Sequence, residues 1–149
     1  MRDMKQRWER DCLVHRPNVV SILVGINDVW QLTIEPDFAA TASNPDEYEV
    51  TLGQLLAQTR QQCDCQFVLM EPFMFCDDPH HRVLRALTPY LEAVHRLAAK
   101  YDAVAISLQK EINRLIPVVP PERWSADTVH PHLWAHAWIA QRWLEATGL

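Results

Sequence analysis

The chain has 149 residues, 48% of them hydrophobic and 22% charged, with a formal net charge of −5. That size and balance fit one globular domain, residues 1–149, with a core of its own. They exclude the basic footprint of a nucleic-acid binder and a polybasic membrane anchor. No apolar run approaches the ~20 residues of a membrane span. The charged first ten residues do not read as a secretion signal. Cys12, Cys63, Cys65 and Cys76 match neither a zinc-type pair nor an ordinary disulfide framework, so reduced thiols are expected. As the chain stands, a cytoplasmic location is expected; a longer form would leave secretion open.

Met4, Trp8 and Cys12 recur at four-residue spacing and predict an opening amphipathic helix, ended by Pro17. Residues 19–24, Val-Val-Ser-Ile-Leu-Val, predict a strand buried on both faces of a parallel sheet, broken by Gly25. Residues 31–43 show no period and read as a loop. Asn44, Pro45 and Glu47 form a helix start with a capping box, and Tyr48, Leu52, Leu55 and Leu56 mark the inner face that follows. Phe67 to Met70 predict a second buried strand, ending at Glu71-Pro72. Thr88-Pro89 is expected to open another helix, since proline breaks helix interiors, with Leu91, Val94 and Ala98 inward. Residues 103–106 predict a third strand. Pro117, Pro120 and Pro121 mark an irregular stretch. A last helix is expected from about His132 to Ala146, with Trp134, Trp138 and Leu144 turned inward. Alternating helices and strands imply a parallel sheet with right-handed crossovers.

Two short motifs carry chemistry. Asn27 follows the first strand by three residues, at the rim where open parallel sheets bind ligands. Its amide can donate to an oxyanion; as a turn residue it would need no such role. Asp127 stands three residues before His130, just ahead of the final helix. A carboxylate on one imidazole nitrogen frees the other to take a proton. Trp30 is a candidate pocket wall, because an indole at a rim can stack on a sugar. Trp124 and Trp134 read as packing residues. A rival reading gathers Asp127, His130, His132 and His136 around a metal. His80, His81 and His95 read as surface residues.

The stretch from Val19 to Trp30, with its Gly-Ile-Asn-Asp, resembles the third sequence block of the SGNH (GDSL-type) hydrolases. Asp127-Thr128-Val129-His130-Pro131 resembles the fifth, and the likeness extends across nearly the whole chain, Glu71-Pro72-Phe73 included. The resemblance implies an α/β fold, a flavodoxin-like αβα sandwich with a parallel sheet, and serine-dependent hydrolysis of small esters or acetylated carbohydrates. It implies Asn27 in the oxyanion hole, His130 as general base and Asp127 as its orienter, with no cofactor and no metal.

The family's first two blocks, which supply the serine and an oxyanion glycine, have no counterpart here. The serines are Ser21, Ser43, Ser107 and Ser125, none in a Gly-Asp-Ser context. No nucleophile is identified; Ser125 is expected to brace the loop, and Ser107 to lie on the far side of the sheet. Ala135 stands where related sequences often have glycine. The chain is therefore expected to be an N-terminally truncated SGNH domain lacking the first strands and impaired as an esterase. The alternative is a non-catalytic binding or assembly module. An unpaired edge on the strand at residues 19–24 predicts self-association there.

Overall fold

The structure, a computed structural model, describes residues 1–149, the side chain of Pro36 excepted. Three parallel strands form the sheet: β1 (Val19–Ile22), β2 (Gln66–Met70) and β3 (Val104–Ile106), in the order β1-β2-β3. The helices are α1 (Arg2–Asp11), α2 (Ile26–Thr33), α3 (Pro45–Gln62), α4 (Arg82–Tyr101), α5 (Leu108–Leu115), α6 (Pro121–Trp124) and α7 (Leu133–Thr147). This is the α/β fold with helices on both faces. Among the described residues no helix is long and apolar enough to cross a membrane.

The two faces of the sheet have separate cores. Val20, Ile22, Phe67 and Leu69 point to one side and pack against α1, α3 and α4. Val68, Met70 and Ile106 point to the other, against α5, α7 and Trp124. Period-2 alternation in the strands distributes these residues to opposite faces. Each fully buried Leu or Phe contributes ~1.5–3 kcal/mol, so α3 and α4, each with several such residues, anchor the first face.

Several local expectations hold in detail. Asn44 accepts from the Glu47 N–H at 3.0 Å while the Glu47 carboxylate accepts from the Asn44 N–H at 3.3 Å, a complete capping box. Tyr48, Leu52, Leu55 and Leu56 are buried as their spacing predicts. Trp8 is the buried residue of α1, and its indole donates to Thr59 at 2.9 Å.

Other expectations are corrected. β1 is not buried on both faces: Val19 is half-buried and Ser21 exposed, because α7 covers that side only in part. Residues 31–43 are not one loop, since α2 runs to Thr33 and a 3₁₀ helix spans Pro36–Thr41. Thr88-Pro89 does not start a helix; Pro89 lies inside α4. Its missing N–H costs ~3 kcal/mol, but Val83 and Leu87 before it and Tyr90, Val94 and Leu97 after it are all buried on one continuous face. That burial outweighs one lost hydrogen bond. Leu91 is only half-buried. In the stretch after β3, α5 buries Leu108 and Ile112. In α7 the buried residues are Ala135 and Ile139, whereas Trp134 and Leu144 are 42% and 51% exposed.

Candidate active site

The first half of the site is made by the exit from β1. Gly25 has φ +127°, a conformation open to glycine. A Cβ there would sit 3.1 Å from Pro72 and 3.2 Å from Tyr48. The turn leads directly into α2, so Asn27 stands in the first turn of a helix rather than in a loop. Its side chain is exposed at the carboxyl end of the sheet.

The second half is the loop from Ser125 to Pro131, whose ends are pinched by an antiparallel bridge between those two residues. The His132 N–H donates to the Trp124 C=O at 2.7 Å, closing its neck. Inside it, Asp127 Oδ1 accepts from the N–H groups of Val129 (3.0 Å) and His130 (2.8 Å) and from the Ser125 hydroxyl (2.9 Å). Thr128 is left-handed, φ +70°. The Phe75 N–H reaches the Thr128 C=O at 2.8 Å and ties the loop to the segment after β2.

The other carboxylate oxygen, Asp127 Oδ2, lies 2.7 Å from His130 Nδ1. With Nδ1–H directed at a carboxylate, Nε2 is the ring nitrogen left to accept a proton. The His130 backbone N–H, the His130 ring, the Val129 N–H and the Ser125 hydroxyl together hold the Asp127 carboxyl well below the usual carboxylate range. Asp127 is thus an anion fixed by its own loop, and the imidazole it orients is exposed.

Both halves open on one cleft of about 470 Å³, lined by Asn27, Trp30, Gln31, Glu35, Asp127, Val129 and His130. All four residues singled out from the sequence therefore share it. Trp30 is held by a bond from its indole N–H to Glu35 at 3.2 Å. Gln31, Glu35 and Val129 were not legible as site residues. Gln31 reaches the cleft from α2 and Glu35 from just beyond it; half-buried Ile26 and buried Val29, three positions apart, were the available signal for that helix.

The remaining candidates separate. Ser125 is 2% exposed and its hydroxyl is committed to Asp127, so it braces the loop. Ser107 precedes α5 at the end of β3, the opposite edge of the sheet from β1. Its hydroxyl is 3.5 Å from His95 Nε2, the same nitrogen that meets Glu71 at 2.7 Å. One nitrogen cannot both receive a serine proton and be oriented by the acid. His95 is exposed, as expected, although its partner Glu71 is buried. His136 lines a separate apolar pocket with Val129 and Pro131. Among the described residues no group of three or more His, Cys, Asp or Glu could hold a metal ion. Trp134 packs on the buried Trp124, ring centroids 4.4 Å apart.

An α/β sandwich with an acid–histidine pair and a polar amide above the carboxyl ends of its strands has the layout of a hydrolase. The GDSL-like Lipase/Acylhydrolase family model matches residues 1–138, and the chain belongs to that family. It is 30% identical over 148 residues to the acetylxylan esterase of Geobacillus stearothermophilus, covering 99% of this chain and 67% of that protein. The crystal structure of that esterase, Axe2, superposes with a TM-score of 0.92 at 30% identity and the same coverage. LAE5, an alpha/beta hydrolase from the metagenome of Lake Arreo, gives 0.91 at 28% identity, again over 99% and 67% of the two chains. Solved forms of Axe2 include catalytic mutants in which a serine, an aspartate and a histidine are each replaced by alanine. In that protein the aspartate stands three positions before the histidine.

Proposed function

We propose that this cleft is the acid–base and oxyanion part of a serine esterase that removes small acyl groups from carbohydrate. The observation that carries the reading is the 2.7 Å contact of Asp127 with His130 in a cleft shared with Asn27. In this reading His130 Nε2 takes the proton of the attacking hydroxyl. Asp127 stabilises the imidazolium, and Asn27 donates to the developing oxyanion. The three-residue spacing of Asp127 and His130 equals that of the catalytic pair altered in Axe2. Axe2's description as an acetyl-xylooligosaccharide esterase supports an acetylated sugar as substrate. Trp30 then supplies a flat wall for the sugar ring.

The nucleophile is not identified among these 149 residues. In Axe2 the catalytic serine precedes the aspartate by more residues than this chain has ahead of Asp127. The hydroxyls of Ser125, Ser107 and Ser21 meet Asp127, His95 and Trp143 rather than His130, and Ser43 is buried. Assayed as these 149 residues alone, the chain should be a weak esterase, and the test is hydrolysis of p-nitrophenyl acetate. Binding and oxyanion stabilisation alone leave a residual on the order of 10³-fold over water, and His130→Ala should leave it nearly unchanged, since a histidine without its serine adds little. A stoichiometric nitrophenol burst from the unaltered chain, lost in Ser125→Ala, would overturn this and make Ser125 the nucleophile.

A second reading concerns the assembly of the chain. β1 pairs with β2 on one side only, which favours a two-fold contact through its free edge.

A further inference from the structure

The two halves of the cleft are joined by the segment from Glu71 to Phe75, which follows β2. Pro72 at its start packs into the Gly25 turn, at the contact distance a side chain on Gly25 would violate. Asn27 lies two residues beyond that turn. Phe75 at its end donates to the Thr128 C=O, between Asp127 and His130. The middle of the segment is irregular, so Met74 has no strand neighbour for its N–H and C=O. Gln109 of α5 supplies both partners. Its Oε1 accepts from the Met74 N–H at 2.7 Å and its Nε2 donates to the Met74 C=O at 3.1 Å. The second amide hydrogen goes to Asn113 at 2.7 Å. Gln109 is 2% exposed, and its own N–H donates to Glu71 at 3.0 Å.

We propose that Gln109 is a positioning residue: by anchoring Met74 it sets the Asp127–His130 loop against the Asn27 turn. The inference rests on the reading of these residues as one site, but its test does not use turnover. A buried side-chain amide that bonds one residue twice replaces a missing strand neighbour, and no shorter or apolar side chain can do so. Gln109 touches neither His130 nor the cleft. Its influence runs through Met74, Phe75 and the Thr128 C=O, the backbone tie from this segment to the left-handed residue of the loop.

The experiment is amide hydrogen exchange by NMR on the intact chain, comparing the parent with Gln109→Leu and Gln109→Glu. Gln109→Leu should speed exchange of the Phe75, Val129 and His130 amides at least tenfold, with β2 and α3 amides unchanged. Gln109→Glu keeps an acceptor for the Met74 N–H but sets a carboxylate against the Met74 C=O. It should therefore show the same local acceleration at neutral pH, and recover protection relative to the parent when acid protonates the new carboxyl. If Gln109→Leu does not fold, the Gln109→Glu pair of measurements decides. Acceleration spread uniformly over the chain, or unchanged exchange at Phe75 and His130, overturns the proposal.

Discussion

Asp127 does two separate things with its two oxygens, and one substitution divides them. Oδ1 closes the loop on three donors, while Oδ2 meets the imidazole. Asp127→Asn retains a carbonyl for the loop and presents an amide N–H to the ring. His130 Nδ1 should then become the acceptor, and the proton should move to Nε2. ¹⁵N NMR of the imidazole would detect that exchange of tautomers, and an unchanged Nδ1–H form would refute the orienting role. In a form carrying a nucleophile the same change should cost on the order of 10⁴ in rate, the penalty of a wrong tautomer. Asp127, His130 and Asn27 were legible because motif and position coincide with element ends. Gln109 was not, because a buried glutamine carries no periodicity and its partners are backbone atoms thirty-five residues away.

Elements were most legible where local chemistry and burial agree. The start of α3 is the clearest case, since Asn44, Pro45 and Glu47 satisfy its first turn by themselves. Asn44→Ala should lower stability by ~1 kcal/mol, measured as a shift in the urea midpoint with an unchanged slope. A loss of less than about 0.3 kcal/mol would mean that tertiary packing alone holds this terminus. α4 shows the opposite balance. Pro89 argues for a boundary, yet buried residues on both sides carry the helix through it. α5 is hard to read from sequence because its eight residues hold only Leu108, Ile112 and Leu115 at helical spacing before three prolines break the pattern. The inward face of α7 is formed by Ala135 and Ile139 and not by the bulkier Trp134. Trp134 is apolar in bulk, but its indole N–H bonds the Arg123 C=O at 2.6 Å, at the protein surface.

At the scale of the molecule, the parallel direction of the strands followed from the alternation of helices and strands, while the order β1-β2-β3 leaves β1 at an edge. The Gln66 N–H donates to the Asn18 C=O at 2.9 Å. In a parallel ladder, alternate residues face the same neighbour. Val20 and Ile22 therefore direct their backbone groups at β2, and Val19 and Ser21 direct theirs at the open side. β1 carries no charge and no proline that would blunt strand addition. Introducing a charge at Ile22 would not test this edge, because Ile22 is 5% exposed and belongs to the core. Position 21 is the informative one. Ser21→Pro removes an N–H that points away from β2 and leaves the β1–β2 ladder intact, as edge strands permit. Ser21→Ala controls for the bond that the serine hydroxyl accepts from the Trp143 indole at 2.7 Å. Light scattering should find the parent chain and Ser21→Ala as dimers and Ser21→Pro as a monomer, all three with similar circular dichroism. A parent chain that stays monomeric at high concentration would show that the free edge of β1 does not recruit a second copy.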